Sequence, residues 1–346
     1  MPPAGGPGWP LGYGISVVGA VVTVAAAAAS SLFLLLVGLF LSGASTACGL
    51  QSRYAAADLA PPERRSRDLS LVVWATTLGS VVGPNLASPG AVVGETLGLP
   101  PLGGVFVVSA VVFAVVAGGF LLLLRPDPLL LARRLGGGRG GPAPRRATGP
   151  ALRAVWSAPG GALGLTAVVV AHSVMVGVMV MTPVHMGHAG GDADGVLRLV
   201  GLVISVHVAG MYLFSPLVGV LADRLGAPAV VAVGGALLVA AAAVAGTAAP
   251  EASGQLAVGL LLLGLGWSCG LVAGSALVTT AVDADLRPTA QGGTDLLMGL
   301  GAAVAGVVGG PLLAWGGFGL VCAVSTALVV PLAVVWLSAA RAQRPR

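Results

Sequence analysis

The sequence has few charged residues. Only 8% of its 346 residues are charged, against about a quarter in an ordinary soluble domain, and 56% are hydrophobic. Together with a mean hydropathy of +0.99, this composition excludes a water-soluble globular protein. Lysine is absent: all 17 basic residues are arginines, and most lie between apolar runs, which argues against a nucleic-acid-binding surface. The composition predicts a membrane protein with several spans.

Cysteines and catalytic motifs are equally sparse. The three cysteines, Cys48, Cys269 and Cys322, lie in separate apolar runs, which excludes a disulfide framework and a metal knuckle. The first arginine, Arg53, follows two apolar runs, so no basic region precedes an apolar core as it does in a cleavable signal peptide. The sequence has no GxSxG, HExxH, phosphate-binding loop or paired carboxylates. It predicts neither an enzyme nor a bound cofactor or metal ion.

The apolar runs indicate the number of spans. A spanning helix needs about 20 largely apolar residues. Ten such runs are present, at residues 11–29, 31–52, 69–88, 102–124, 161–184, 197–221, 228–248, 255–281, 293–313 and 317–339. The prediction is an all-α polytopic membrane protein with a four-helix bundle at 1–124, a cytosolic linker at 125–160 and a six-helix bundle at 161–346. The linker is rich in Arg, Gly and Pro and lacks helical periodicity; it is either a solvated tether or a contact for anionic lipid headgroups.

The arginines predict the orientation of the chain. Arginines that flank short loops favour the cytoplasmic side of a membrane. If both termini lie in the cytoplasm, every arginine except Arg198 falls on the inner side. One extra or missing span would place the arginines of all later loops on the opposite side of the membrane. The pattern therefore predicts ten spans in the inner (cytoplasmic) membrane, with both termini inside the cell.

Two of the runs share a pattern. DLSLVVWATTLGSVVGP, from Asp68 to Pro84, and DLLMGLGAAVAGVVGGP, from Asp295 to Pro311, both carry Asp, Leu, GxxxG and Pro in the same order and spacing. GxxxG places two residues without side chains on one helix face, where another helix can approach closely, and the proline kinks or ends this region. The residues predicted to pack in this way are Gly79, Gly83 and Pro84 in the first copy and Gly306, Gly310 and Pro311 in the second.

Together with the segment GVLADRLG, this repeat resembles the major facilitator superfamily, whose transporters have two six-helix halves joined by a cytoplasmic loop. The segment is similar to the family's loop motif, GxLADRxGR, except that Ala227 and Pro228 replace the basic pair. The repeat equates the third and ninth runs with the family's fifth and eleventh helices. The resemblance therefore implies a two-bundle fold from which the first two helices are absent, unless Met1 is not the true start. It also implies that the gating residues of the loop are Gly219, Asp223, Arg224 and Gly226.

Histidine and methionine cluster on two neighbouring runs. All four histidines lie between residues 172 and 207, among most of the methionines. Residues on one helix face recur every three or four positions, and the residues that do so here are His172, Met175 and Met179 on the fifth run and His207 and Met211 on the sixth. They either pack against other helices, line the path of a solute, or bind a soft metal. The resemblance favours the solute path over the metal, because the fifth run corresponds to a cavity-lining helix of the family.

The sequence thus predicts a transporter that moves a small organic solute by alternating access, with two bundles rocking about a midplane site. Efflux is favoured because GSVVGP resembles the family's antiporter signature, although Ala87 and Ser88 replace the closing glycine pair. A degenerate transporter that acts as a membrane sensor or scaffold is the alternative, and soft-metal transport ranks below it. The expected partners are the solute and the lipid bilayer, without nucleic acid. The sequence does not specify the coupling ion; a proton is one candidate.

Overall fold

The computed structural model describes residues 8–58, 60–123, 131, 147–190 and 193–342. Within these ranges the chain is α-helical and contains no β-strand, so the predicted all-α fold is confirmed. The main helices are α1 (Gly8–Ala28), α2 (Leu32–Asp58), α3 (Arg65–Asn85), α4 (Ala87–Thr96), α5 (Pro101–Leu123), α6 (Thr148–Ser157), α7 (Gly161–Met186), α8 (Ala193–Tyr212), α9 (Ser215–Leu225), α10 (Ala227–Gly246), α11 (Ser253–Thr280), α12 (Arg287–Ala327) and α13 (Val329–Ala342).

Eight helical stretches of the described chain are long and apolar enough to cross a membrane. This number does not confirm the predicted count of ten spans. The third predicted run, in α3, is not among the eight, and the ninth and tenth runs share one stretch, Arg287–Arg341, of 55 residues. At 1.5 Å per residue that stretch is about 80 Å long, more than twice the thickness of a bilayer core. It breaks at Gly316 and Gly317, and the φ of +70° at Gly317 lies in the left-handed region that favours glycine.

The described residues form two compact units. Unit 1 comprises those within Met1–Leu59 and Leu78–Pro144, and unit 2 those within Ala60–Thr77 and Arg145–Arg346. The first part of α3 thus belongs to unit 2, whereas the sequence prediction placed all of it in the four-helix bundle. The reason is a close contact between the start of α3 and α9, where the backbone of Gly219 lies against Ser66 and Ser70.

Glycines allow the helices of unit 2 to pack backbone against backbone. A Cβ added to Gly264 of α11 would lie 2.4 Å from the carbonyl oxygen of His207 in α8. A Cβ added to Gly164 of α7 would lie 2.7 Å from the carbonyl oxygen of Gly274 in α11. Any larger residue would force these helices apart. The glycine content of the apolar runs therefore serves close helix packing here, as it commonly does in membranes.

Two helices lie where the sequence analysis placed breaks. Thr148–Ser157, inside the predicted linker at 125–160, forms the helix α6, although no helical periodicity was expected there. The linker itself stays a prediction. Ala151 and Val155 of α6, four residues apart, are buried, and Val155 joins an apolar cluster with Leu165 of α7 and Val278 of α11. The neighbouring Arg, Gly and Pro residues hid this short amphipathic pattern in the sequence.

The second such helix is α4 (Ala87–Thr96), most of which lies in the gap between the third and fourth predicted runs, at residues 89–101. Pro89 lies in its first turn, where proline is tolerated. Gly90 and Gly94 allow α5 to approach, since a Cβ on Gly104 would meet the carbonyl oxygen of Gly90 at 1.9 Å. Gly90 and Gly94 are therefore packing positions.

The sixth predicted run is two helices. Helix α8 ends at Tyr212 and α9 begins at Ser215. Pro216 has no N–H to donate to the carbonyl of Tyr212, which would be its helical partner. That carbonyl instead accepts a hydrogen bond of 2.8 Å from the Ser215 hydroxyl. The proline therefore explains why the helix breaks at this point.

Candidate functional site

One face of α9 lies against the start of α3. The residues of this face, Ser215, Gly219 and Asp223, are spaced by four, so they lie above one another on the helix. The two carboxylate oxygens of Asp223 accept hydrogen bonds from the backbone N–H groups of Ser66 and Arg67, at 3.0 and 2.9 Å. We call this pair of bonds the Asp223 cap. It joins parts of the chain that are more than 150 residues apart.

The Asp223 cap satisfies groups that α3 cannot satisfy itself. The first N–H groups of a helix have no carbonyl partner within that helix, and its N-terminus carries a partial positive charge. A carboxylate is suited to both features. Asp223 thus acts as an N-cap for α3, although it comes from another helix, and breaking this contact exposes two unsatisfied donors.

The two glycines of the loop motif have separate structural roles. A Cβ on Gly219 would lie 2.2 Å from the Ser70 hydroxyl and 2.7 Å from the carbonyl oxygen of Ser66, so α9 can approach α3 this closely only with glycine at that position. Gly226 has a φ of +88°, which other L residues rarely adopt, and it forms the turn into α10. Arg224 follows Asp223 and is exposed.

The five predicted lining residues, His172, Met175, Met179, His207 and Met211, differ in how deeply they are buried. We call them the histidine and methionine stripe. His172 and Met179 are partly exposed, whereas Met175 is buried. On α8, His207 is fully buried and Met211 nearly so. The lining role of these five residues remains a prediction, and only His172 and Met179 reach the surface of unit 2 in this structure.

Two of the histidines are fixed by bonds to α11. Nδ1 of His207 donates to the carbonyl oxygen of Leu260 at 2.8 Å. Nδ1 of His172 accepts a hydrogen bond of 2.8 Å from Nε1 of Trp267, and the ring of Tyr212 stands edge-on to the same indole. Sequence analysis missed Trp267 and Tyr212. The signal that could have found them is a tryptophan and a tyrosine near the middle of two apolar runs.

The GxxxG glycines make few contacts. A Cβ at Gly79, Gly83 or Gly310 would meet no atom of the described chain within 4 Å, and one at Gly306 would touch only a side-chain carbon of Val176, at 3.9 Å. The close helix approach predicted for these glycines is thus not made in this structure. Pro311 lies within α12 and is exposed. Pro84 lies within α3, and its side chain is outside the described part of the chain.

The described part of the chain contains no group of three His, Cys, Asp or Glu side chains that could hold a metal ion. His185, outside the stripe, stacks on Phe318 at 4.5 Å and donates from Nε2 to the carbonyl oxygen of Ala248 at 3.0 Å. This bond connects the end of α7 to the loop after α10, so the residue has a structural role.

The helices and their composition define an α-helical multi-pass membrane protein. The family model "Major Facilitator Superfamily" matches residues 6–199 and 192–346. The chain therefore belongs to the major facilitator superfamily, whose members transport small solutes.

Three curated relatives match most of the chain. The uncharacterised transporters YdeG and YddS of Bacillus subtilis are each 36% identical to it, over 95% and 94% of this chain and 76% and 74% of theirs. The riboflavin transporter RfnT of Brucella anthropi is 28% identical over 88% of this chain and 71% of its own. All three are named as transporters.

Solved transporters share the fold. The fucose:proton symporter FucP of E. coli superposes with a TM-score of 0.70 at 16% identity, covering 95% of this chain and 83% of FucP. The human organic anion transporter MFSD10 gives 0.62 at 18% identity, covering 95% of this chain and 76% of that one. At these identities the likeness establishes the fold alone.

Proposed function

We propose that the protein exports a small organic solute from the cell by alternating access. The observation that supports alternating access is the Asp223 cap, which joins α9, from the later half of the sequence, to α3, from the earlier half. Export is proposed because GSVVGP resembles the family's antiporter signature. Hydrogen bonds to a charged group contribute about 1.5–3 kcal/mol each when shielded from water, and less at a partly exposed acid such as Asp223. Two such bonds are strong enough to favour one conformation and weak enough to break in each transport cycle.

Within this proposal the solute meets the exposed members of the stripe. His172 and Met179 reach the surface of unit 2, whereas Met175, His207 and Met211 hold the helices together around them. A thioether and an imidazole offer a mixed apolar and polar surface, which suits an organic solute. Arg224, exposed beside the Asp223 cap, is assigned with Asp223 to the cytoplasmic gate.

Flux into inside-out vesicles tests the proposal. The panel consists of riboflavin, L-fucose and fluorescein, which represent the solute classes in the names of the relative and the solved neighbours. We expect accumulation of at least one member. Asp223→Asn, which places an amide N–H against the two backbone donors, should slow it about tenfold with normal membrane insertion.

Glu251→Gln is the matched control, because Glu251 is also an acid but lies exposed between α10 and α11. It should leave flux within about twofold of the parent, as is usual for a surface substitution. Absence of flux for every panel member would contradict transport, and equal flux in Asp223→Asn would contradict the role of the Asp223 cap. Binding of a solute without flux would instead indicate a degenerate transporter that acts as a membrane sensor.

We further propose that both termini are cytoplasmic and that the protein lies in the inner membrane. Three exposed glutamates allow a test: Glu63 before α3, Glu95 at the end of α4 and Glu251 before α11. In intact cells, a cysteine at Glu63 should resist a membrane-impermeant thiol reagent, whereas cysteines at Glu95 and Glu251 should react. Labelling at Glu63 without lysis would overturn the orientation.

A further inference from the structure

Helix α6 lies at one end of the long helices of unit 2. Its Val155 packs in an apolar cluster with Leu165, Val278 and Ala290, which lie in the first or last two turns of α7, α11 and α12. The apolar stretches that contain these three helices are long enough to cross a bilayer core, so their ends lie near its surface. Helix α6 therefore lies at the membrane surface, on the side that we propose is cytoplasmic.

One face of α6 fits closely against the rest of unit 2. Ala151 and Val155 on this face are fully buried. A Cβ added to Gly293 of α12 would lie 2.9 Å from the methyl carbon of Thr148 and 3.0 Å from Cγ of Leu152. These contacts hold α6 in one orientation, so its opposite face points away from unit 2.

The opposite face of α6 carries an arginine, a tryptophan and a serine. Trp156 and Ser157 follow Arg153 by three and four positions, so the three residues lie together, opposite Ala151 and Val155. All three are exposed, Trp156 by 54%. Tryptophan is enriched where lipid meets water, because its ring is apolar and its N–H is polar. We call Arg153, Trp156 and Ser157 the outer face of α6.

The chain around the outer face is basic. Residues 128–159 contain six arginines, Arg153 among them, and no acid. The cytoplasmic leaflet of a membrane carries anionic lipids, which attract basic segments close to its surface. Arginine suits such lipids because its planar guanidinium can donate two hydrogen bonds to one phosphate group. The charge of this part of the chain is therefore complementary to an anionic lipid surface.

The neighbouring loop before α12 does not share this charge. It carries Asp283 and Asp285, both exposed, and is followed by Arg287. A cavity of about 380 Å³ lies beside Ala154 of α6, and its lining includes Asp283 and Arg287. Because an acid and a base both line it, this cavity favours neither sign of charge. An anionic group is therefore better accommodated on the outer face of α6 than in the cavity.

We propose that the outer face of α6 binds the headgroup of an anionic phospholipid. The guanidinium of Arg153 donates hydrogen bonds to the phosphate oxygens, and the indole of Trp156 lies at the level of the glycerol backbone. Of the two roles that the sequence leaves open for residues 125–160, this assigns the lipid contact to α6. The inference goes beyond the proposed function, because no solute takes part in it.

Native mass spectrometry of the purified full chain, titrated with phosphatidylglycerol or phosphatidylcholine, tests the proposal. We expect the first phosphatidylglycerol to bind about fivefold more tightly than phosphatidylcholine, which is roughly the effect of one arginine near an anionic surface. Arg153→Gln should abolish this preference, whereas Arg153→Lys should keep most of it, because the charge remains. Trp156→Ala should weaken both lipids about threefold, since the indole contacts apolar groups that the two lipids share.

Arg198→Gln is the matched control. Arg198 is also an exposed arginine of unit 2, on α8, but Asp192 and Asp194 precede it closely in the sequence and offset its charge. Its replacement should leave the preference for phosphatidylglycerol unchanged. Inorganic phosphate at millimolar concentration distinguishes a lipid site from a phosphate site. It should not displace phosphatidylglycerol, because free phosphate lacks the apolar groups that Trp156 contacts.

A spin label at Ser157 locates the outer face directly. Ser157→Cys is labelled in a chain without the three native cysteines, and the collisions of the nitroxide with a water-soluble nickel chelate are measured in nanodiscs. The chelate reaches a label in water and is excluded from lipid. The label should be less accessible to the chelate in nanodiscs that contain phosphatidylglycerol than in pure phosphatidylcholine. Arg153→Gln should remove this difference.

The outcomes decide the inference without reference to export. Equal binding of the two lipids by the parent, an unchanged preference in Arg153→Gln, or displacement by inorganic phosphate would each overturn it. A label that is equally accessible in both kinds of nanodisc would overturn it as well, as would a loss in Arg198→Gln equal to that in Arg153→Gln. None of these measurements contains a solute, so failure here leaves the proposed function standing, and failure of transport leaves the lipid contact standing.

Discussion

The most buried and the least buried apolar helices of the described chain lie in different units. In unit 2, 72% of an 18-residue apolar segment is buried inside the protein in both Gly161–Ala189 and Ser253–Thr280. In unit 1 the corresponding share is 33% for Trp9–Ala28, 6% for Leu32–Ala57 and zero for Gly103–Leu123. Both sets of helices are apolar enough in sequence to cross a membrane, and the fully uncovered one, Gly103–Leu123, is the most apolar. Hydropathy therefore indicates which helices can lie in lipid, but not which ones are surrounded by protein.

Glycines differ in their contacts within both units, since Gly104 of unit 1 also meets the backbone of a neighbouring helix, at Gly90. In unit 2, Gly264 and Gly164 touch the backbone of neighbouring helices. In unit 1, Gly79 and Gly83 belong to a recognisable packing motif, yet no atom of the described chain lies within 4 Å of where a Cβ would be. Since lipid tails are as apolar as leucine, a glycine contributes to helix association only where a second backbone comes close. The contact, and not the motif, determines its contribution.

The largest effect should come from enlarging a glycine inside unit 2. Gly264→Val would place side-chain atoms against the carbonyl oxygen of His207 and the amide of Met211, which are backbone atoms and cannot move alone. We expect a loss of about 3 kcal/mol or more in the free energy of unfolding, or no folded protein at all. Size-exclusion chromatography and thermal unfolding in detergent measure this. A folded variant with parental stability would show that unit 2 is less tightly packed than described.

A smaller effect should follow from removing a buried side chain of unit 2. Leu260 of α11 is fully buried, whereas Phe40 of α2 in unit 1 is 83% exposed. Leu260→Ala should lower the free energy of unfolding by about 2–5 kcal/mol, because it leaves a cavity. Phe40→Ala should change it by less than about 0.5 kcal/mol, as for a surface substitution. Equal losses in thermal unfolding would remove the difference between the units.

The smallest effect, with the opposite sign, is expected at the motif glycine of unit 1. Gly79→Ala should raise the free energy of unfolding by about 0.5–1 kcal/mol, because alanine favours the helix and no neighbour obstructs its methyl group. Gly219→Ala is the comparison, since the start of α3 would clash with it. Destabilisation by Gly79→Ala would indicate that a second helix packs on the motif after all.

Much of the fold could be predicted because its signals are local. The predicted run at 161–184 corresponds to the helix α7 (Gly161–Met186), and the predicted run at 255–281 corresponds to α11 (Ser253–Thr280). The helix boundaries were predicted wrongly where Gly or Pro occurs, because these residues are found both in turns and within closely packed helices. The Gly and Pro residues around 88–100 form a helix contact as well as a turn, and Pro216 breaks a run whose hydropathy is continuous.

The candidate site could be predicted only in part. The loop motif predicted a role for Asp223 but not its partners. These are the backbone N–H groups of Ser66 and Arg67, which are remote in sequence, and a backbone N–H group leaves no pattern in the sequence. The histidine stripe was found by periodicity. Its division into buried and exposed members depends on α11, because Trp267 and Leu260 are the partners of His172 and His207.

Alternating access predicts that the Asp223 cap opens and closes during transport. Spin labels on cysteines at Glu63 and Leu225, exposed residues near its two sides, report the distance across it in a chain without its three native cysteines. Double electron–electron resonance in nanodiscs should resolve a shorter and a longer distance. A transported solute should change their ratio, and Asp223→Asn should shift the population towards the longer one. A single distance that neither the solute nor the substitution alters would contradict alternating access at this contact.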